Sequence, residues 1–471
     1  MNCGTLKKAT SKKAQFGKGE KKIKTFQDLQ AVGENEQNRM QFCLNAIKEH
    51  QSDTKTREAA IAEQYFDGEN VTITTVDKFI TDVYGRKIPD IWSPNHKIKC
   101  HLYPFFVKQQ VQTLLGNGIS FNNLDTLKKL GKGFEKLTVD AATDAINEGC
   151  AFGFWNLDHL EKFKLTEFVP LYDEETGRLA AGIRFWQLAF DKPLRFTLFE
   201  IDGYTEYIKR KSEDAEVYVE KQRYINNVTT SDTGIEIAPG KTYSGLPIIP
   251  FSNEGGRSAL HGNRESIDAY DLIASKLVNN IDNGEFIYWI IKNAPAMADD
   301  PEELQAFLQK LKTSGVVSVG ADQEVDSHKV EIPFEASESA LSFMRKQLFF
   351  DFMAFDPESV SGGADTATRI RAAYEPLTEK LDRFEWQVTE FITGILELAG
   401  IDDTPTYPRS LLVNKGEEIQ NVISAAEYTS EDYTTRKLLD IIGDADKADE
   451  VINQRTAEES ARFDEEGAVI G

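Results

Sequence analysis

The chain has 471 residues, 40% of them hydrophobic and 10% aromatic, enough for two or three packed units with a true core. Its formal net charge of −23 argues against a protein that wraps nucleic acid by neutralising phosphates, a task that takes Lys and Arg. No apolar run is long enough to cross a bilayer. The four cysteines, Cys3, Cys43, Cys100 and Cys150, form no C-x-x-C pair, which argues against a zinc ribbon or disulfide scaffold and for a reducing cytoplasm.

In chain order, residues 1–24 hold eight Lys against one Glu, a local +7, and almost no large apolar residue. They read as a basic disordered tail, with a nucleic-acid or partner-binding arm as the alternative. An apolar h-region is missing, so the segment is no secretory signal. From Thr25 to about Ala62 apolar residues recur at helical spacing. Asp67-Gly68 reads as a turn. Leu102, Phe106, Val107, Val111, Leu114 and Leu115 fall on one helix face, which Gly116-Asn117-Gly118 ends. His96, Cys100 and His101 stand close enough to suggest a metal site. Their aromatic-rich surroundings and the lack of a second ligand cluster favour packing or surface roles.

Residues 134–155 read as a helix ending near Gly153. The period then changes to two. "LTEFVPLYDEETGRLAAGIRFWQLAF" carries a turn from Asp173 to Gly177 between alternating apolar residues, a β-hairpin signal, and β-rich sequence continues to about Tyr243 before "GLPIIPFSN" closes it. The acids at 173–175 fit a solvated turn better than a metal site.

From Arg264 the chain reads as helix again, with Ile267, Tyr270, Ile273, Leu277, Ile281 and Phe286 along one stripe up to Pro295. Thirty such residues span about 45 Å. A small mixed unit follows: a helix opening near Pro301, then short strands in "GVVSVG" and "HKVEIPF". A second helix, "ASESALSFMRKQLFFDFMAF", leads to the hinge "DPESVSGGAD". Beyond it Ile370, Tyr374, Leu377, Leu381, Phe384, Val388, Phe391, Ile395 and Leu398 form a sustained seam on a third long helix. Pro376 predicts a kink there, and Gly400 ends it. Two or three short acidic helices complete the chain, with fifteen acids against five bases from Glu417 onward. The fold class is α+β, mainly helical, with two helices flanking a distal module like a stalk with a tip.

Searches for catalytic constellations are unproductive. "LGKGFEKL" has glycines and a lysine without the spacing or preceding strand of a phosphate-binding loop. There is no G-x-S-x-G, H-E-x-x-H or EF-hand loop, and none of the six His stands with a suitable Ser or Cys. The Gly362-Gly363 turn before a helix start could hold a phosphate on backbone N–H groups, but no strand or attendant Lys accompanies it.

The segments "EQYFDGENVTI", "NHKIKCHLYPFFVKQQVQTLLGNGISF", "AFGFWNLD", "VPLYDEETGRLAAGIRFWQ", "GLPIIPFSNE", "SIDAYDLIASKLVNNIDN" and "SVSGGADTATRIRAAYEPLTEKLDRFEWQV" stand in this order. Together, from about residue 60 to 400, they resemble a portal protein of tailed bacteriophages, of the siphophage type of Gram-positive hosts. The resemblance implies a ring of twelve subunits at one capsid vertex. Double-stranded DNA would pass through its channel during packaging and ejection. The terminase large subunit would dock on it, then a head-completion or adaptor protein, with major capsid and scaffolding proteins as further partners. It implies a virion protein assembled in the host cytoplasm, with no membrane, cofactor, metal or catalytic residue.

The implied domains are the basic tail at 1–24, a wing at 25–261 and a first stem helix at 262–294. A clip follows at 295–335, a second stem helix at 336–354 and a tunnel loop at 355–365. A long kinked helix at 366–400 would run from wing to crown, the crown and acidic region occupying 401–471. On this alignment Asp356, Glu358, Ser359, Val360, Ser361, Gly362, Gly363 and Asp365 belong to the loop at the narrowest part of the channel. Small, mobile residues there suit a surface that touches DNA of any sequence and releases it. Lys276, Arg345 and Lys346 are the basic stem residues for the channel or a neighbouring subunit, with salt bridges as the alternative. Arg369 and Arg371 would steer phosphates or pair with acids such as Glu358. Glu302 and Glu303 would take part in clip docking.

Two rivals stand beside this reading. One is a nucleotide-binding or metal-dependent enzyme using the Gly-Gly loop with Asp356 or Asp365. The other is a scaffold protein using the 370–398 seam as a coiled coil. In a ring the seam would pack on a neighbour or, as an alternative, inside its own subunit.

Overall fold

The computed structural model describes residues 24–455 apart from 82–83, 92, 124, 211–213, 232–233, 284–286, 293–301, 303–304, 307–308, 310–323, 330–333, 361–366, 410–414 and 445–446. Three helices open the fold: α1 (Phe26–Val32), α2 (Glu36–Ser52) and α3 (Thr54–Phe66). Thr25, Asn35 and Asp53 each cap one of them through a side-chain oxygen, which divides the helical pattern of this region into three pieces. A helical turn, α4 (Val71–Thr74), and a hairpin of β1 (Phe79–Thr81) with β2 (Lys87–Pro89) lead to α5 (Leu102–Leu115).

After β3 (Ser120–Phe121) and α6 (Thr126–Lys129) comes α7 (Phe134–Glu148). It ends on Gly149, at φ +93°, rather than near Gly153. Glycine is needed at 149 for that left-handed turn, and an added Cβ would also stand 2.7 Å from the Arg257 backbone. The residues read as the end of a helix are instead strand β4 (Cys150–Asn156).

Strand β4 lies between β13 (Ile248–Ser252) and β5 (His159–Lys164) in a three-stranded sheet. A five-stranded antiparallel sheet follows in the order β10-β9-β8-β7-β6. Its strands are β6 (Phe168–Tyr172), β7 (Leu179–Trp186), β8 (Leu194–Glu200), β9 (Gly203–Lys209) and β10 (Glu216–Gln222). The expected hairpin turn at Asp173–Gly177 joins β6 to β7. Strands β11 (Ile225–Ser231) and β12 (Gly234–Lys241) form a separate hairpin.

Strand alternation assigns the side chains to successive layers. On β4, Cys150, Phe152 and Phe154 pack with Phe163, Phe168 and Phe199 between the two sheets. Ala151 and Trp155 face the opposite core, shared with α5 and α7. The far face of the five-stranded sheet, with Ile183, Phe196 and Leu198, is covered by Leu29, Phe42 and Ile47 of α1 and α2.

Helix α8 (Arg264–Asn283) is shorter than the sequence pattern predicts: twenty residues, or about 30 Å. Residues read as its last turns form β14 (Ile287–Lys292), paired with β15 (Glu324–Lys329). The run Ile287-Tyr-Trp-Ile-Ile suits a strand through its β-branched and aromatic content as well as a buried helix through its hydrophobicity, and the pairing decides. "GVVSVG" and most of the helix expected after Pro301 lie outside the described residues.

Helix α9 (Phe334–Asp351) returns beside α8. Helix α10 (Ala367–Ala399) then runs 33 residues and continues through Pro376. Its seam is covered within the same chain: Leu381, Val388, Phe391 and Ile395 are fully buried in the core that also holds Phe251 and Phe106. This burial leaves no open seam from Tyr374 to Ile395 for a coiled coil, and that stretch of α10 belongs to the main core of the same chain. The chain after it also stays there. Strand β16 (Pro405–Thr406) pairs with β3, and Asp403 accepts from Asn122 N, Asn123 N and the Thr126 hydroxyl. Only then come α11 (Lys415–Ala425) and α12 (Glu431–Ile442).

The α10–sheet contact is close because Gly153 and Gly394 lack side chains. An added Cβ at Gly153 would lie 2.6 Å from the Phe391 ring, and one at Gly394 would lie 3.1 Å from Ile249. Phe391 stacks on Phe251 with centroids 4.6 Å apart. Phe391→Ala should therefore cost about 3–5 kcal/mol, read as a lowered midpoint with unchanged slope in urea unfolding.

Candidate functional site

The hinge between α9 and α10 stands on two helix ends, and both are tied to the main core. At the first, α9 stops in a Schellman turn: Met353 N donates to Phe350 O and Ala354 N to Phe349 O, each at 2.9 Å. Met353 sits at φ +48°, a left-handed position usually given to glycine, at a cost of about 1 kcal/mol. Packing supplies the compensation. Phe349 meets Phe106 edge-on and Phe352 stacks on Phe106, with centroids 5.1 and 4.5 Å apart.

Just beyond the turn, the side-chain amide of Gln109 pairs with both backbone groups of Phe355. It donates to the carbonyl at 2.9 Å and accepts from the N–H at 3.0 Å. At the second foot, Tyr374 of α10 stacks on Phe355 with centroids 3.8 Å apart and planes 8° from parallel. Lys380 donates to Phe352 O at 2.8 Å, and burial lowers its ammonium pKa to about 8.

Between the feet the described part of the hinge is a 3-10 turn, Pro357–Val360. Asp356 organises it: its carbonyl accepts from Ser359 N and Oγ, and its carboxylate accepts from Glu358 N. Arg345 of α9 then clamps the turn. Its two terminal nitrogens donate to the two Asp356 oxygens at 3.0 and 2.9 Å, and Nη1 also reaches Glu358 at 2.8 Å. The guanidinium lies over the Phe349 ring, 4.7 Å from its centroid. The two-pronged Asp356 pair is largely shielded, its side chains 22% and 15% exposed, whereas Glu358 is 72% exposed. An exposed pair of that kind contributes roughly 0–1 kcal/mol, so Asp356 is the structural partner and Glu358 the replaceable one. Arg369, at the start of α10, donates to Ser359 O at 3.2 Å.

The residues singled out from sequence therefore separate. Asp356, Glu358, Ser359 and Val360 form the foot of the hinge, while Ser361, Gly362, Gly363 and Asp365 lie outside the described residues. Arg345 is engaged within its own chain, and Arg369 donates to the Ser359 carbonyl. Lys276, Lys346 and Arg371 are exposed. Glu302 is helical and exposed, with Gln305, Ala306 and Gln309 on the same face, and Glu303 lies outside the described residues. His96 pairs with Asp282, and the Cys100 N–H bonds Asp271. Among the described residues, no three His, Cys, Asp or Glu side chains gather as a metal site would require. In the acidic hairpin tip, Asp173 accepts from Glu175 N, Thr176 N and Gln27 Nε2, the contacts of a turn.

The sequence reading missed the root of the stalk. Asp268, Asp271, Ser275, Asn279 and Asp282 recur at steps of three and four along α8, a polar stripe beside the apolar one. Asp271 accepts from Cys100 N and Asn70 Nδ2, Ser275 from Ile98 N, and Asn279 from His96 N. The extended segment 96–100 is thus laced to α8 by its backbone. Asp268 accepts from the Tyr65 hydroxyl at 2.6 Å. The spacing was a usable signal, overshadowed by the apolar stripe.

Residues 46–466 match the family model described as "Phage portal protein, SPP1 Gp6-like". The portal protein of Bacillus phage SPP1 is 23% identical over 385 residues, covering 73% of this chain and 72% of the relative. The portal protein of Clostridium phage phiCD119 is 24% identical over 190 residues, covering 37% and 41%. Among solved structures, a chain in the virion of a native gene transfer agent particle aligns at TM-score 0.38 and 12% identity, covering 71% of this chain and 87% of that one. A chain in the neck of that particle, computed with C12 symmetry, aligns at 0.38 and 13%, covering 74% and 94%.

Lys380 supplies a test of the second foot. Its lowered pKa means that, between about 8 and the unfolded value near 10.5, the unfolded chain binds the extra proton, so this group's contribution favours folding as pH rises. The stability of the parent relative to Lys380→Met should rise by about 2 kcal/mol between pH 7.5 and 10. Denaturation of both proteins across that range checks it.

Proposed function

This chain belongs to the SPP1 Gp6-like family of phage portal proteins, and on that premise we propose how its parts serve a portal. Twelve copies of the chain close into a ring at one capsid vertex. The layered body of residues 25–261, together with α10, is the wing. Helices α8 and α9 are the stem. The clip extends from about 284 to 333, starting earlier than the apolar stripe predicts because β14 belongs to it. The crown begins near α11, after β16 has returned to the wing. The ring is a structural component of the virion and not an enzyme. It is assembled in the host cytoplasm with major capsid and scaffolding proteins, and serves first the terminase large subunit and then a head-completion protein.

The hinge 356–365 is then the tunnel loop, lining the narrowest part of the channel. The observation that supports this most directly is the division of labour at the hinge. Both feet are fixed by stacked aromatics, Gln109 and the Arg345–Asp356 clamp, while Gly362-Gly363 and Ser361 lie at the centre of the span. A channel that must pass DNA of any sequence needs firm supports and a weakly adhesive surface, since each Lys or Arg grip on a phosphate has to be broken at every step. Twelve chains at −23 each would also present about −280 formal charge against a polyanion.

Negative-stain images of the purified full-length protein should show rings with a central hole; rods or compact monomers would overturn the reading. Deleting Ser361–Gly363 should leave rings intact while lowering packaged or retained DNA, and lost assembly without a separate packaging defect would count against the loop assignment. In the clip, Glu302→Lys with Glu303→Lys should weaken terminase or adaptor docking at least several-fold in a pull-down titration; equal docking removes that helix from the interface.

A further inference from the structure

Beside the hinge lies a groove of about 660 Å³, lined by Tyr270, Glu338, Ser342, Arg345, Lys346 and Ser359 together with the two carboxylates that hold Arg345. We propose that this groove is a masked site for phosphate oxygens, and that Glu358 is its removable mask. The inference rests on the channel reading only for its biological ligand, a DNA backbone.

A guanidinium presents a planar fork of donors that fits a carboxylate and a phosphate alike. Here one fork edge is fully used by Asp356, the shielded partner, which also holds the turn. The Nη1 shared with Glu358 points toward a side chain that is 72% exposed and 2.8 Å away. Glu358 therefore occupies the place where a phosphate oxygen would sit. Lys346 lines the same groove and adds a second positive charge. As built, Glu338, Asp356 and Glu358 outweigh Arg345 and Lys346, so the groove turns anions away. Neutralising Glu358 alone brings the balance to even and leaves only a neutral amide oxygen, a weaker competitor than a phosphate, at that donor position. The loop thus carries its own competitor for the arginine that would otherwise hold DNA.

The test uses the full-length protein as purified, and its Glu358→Gln and Glu358→Gln/Lys346→Gln variants. Tripolyphosphate binding is followed by calorimetry, and binding of a short duplex by fluorescence anisotropy over a salt series. Glu358→Gln leaves the Asp356 clamp in place and should melt like the parent. It should bind tripolyphosphate about five- to tenfold tighter and steepen the salt dependence of duplex binding by about one phosphate contact. The added Lys346→Gln should remove most of the gain. Unchanged tripolyphosphate affinity in Glu358→Gln, or parent protein that binds as tightly as the variant, overturns the masked site. A gain for tripolyphosphate without any gain for duplex supports the groove and instead takes the loop off the DNA path.

Discussion

The burial of α10 against the three-stranded sheet is the contact on which the rest of the structure depends. A 33-residue helix with a single apolar stripe has to be covered, and here the cover comes from its own chain: Phe251 and Ile249 of β13, Ala151 and Trp155 of β4, and α5. Two glycines, Gly153 and Gly394, let helix and sheet come within van der Waals contact. With α10 fixed in this way, its first turns can serve as a support. Tyr374 is placed for Phe355 and Lys380 for Phe352. A seam left open for a partner would have made the position of these supports conditional on assembly. A seam closed within the subunit makes it a property of the folded chain.

The stalk is held by a different kind of force. Its root is tied through polar groups, because α8 turns Asp271, Ser275 and Asn279 toward the backbone of segment 96–100. Those bonds are directional: each accepts from or donates to a particular backbone group, so they fix the register of α8 against the wing as well as its attachment. Burial raises the Asp271 carboxyl pKa, while the Asn70 amide and Cys100 N–H act against that rise. Apolar packing holds the wing and polar lacing orients the stalk. A laced helix either matches its partner groups or leaves them unpaired in a buried place.

Much of the wing was legible because its signals were redundant. The α10 seam repeated nine times over, and the Asp173–Gly177 turn sat between two alternating runs. The errors occurred where one local pattern served two structures. "CAFGFWN" after α7 carried enough apolar content to extend a helix, and only the left-handed Gly149, crowded by Arg257, moved the boundary four residues earlier. The run from Ile287 to Lys292 was equally ambiguous until β15, more than thirty residues later, was available to pair with it. At the site, Asp356 and Glu358 stood out by position, but their partner could not be read. Arg345 lies eleven residues before Asp356 on a different element, and nothing in the spacing states that a helix will end in a left-handed Met353 and fold the acids back over it.

That fold-back changes how charge near the loop should be understood. A basic residue close to a proposed DNA path invites the inference that it grips DNA, and the sequence alone leaves that open for Arg345 and Arg369. In the folded chain Arg345 meets two carboxylates and Arg369 meets a backbone carbonyl. Their positive charge organises the loop before it can act on anything passing by. The acids that neutralise Arg345 come from the loop itself, so any movement that drew Glu358 away would expose the guanidinium at the place where the loop had moved. Net charge of −23 describes the average repulsion of the chain, but the affinity of a contact surface is set by which few charges remain unpaired at it. By that measure an arginine held by its own loop is compatible with sliding in a way that a free arginine in the same position would not be.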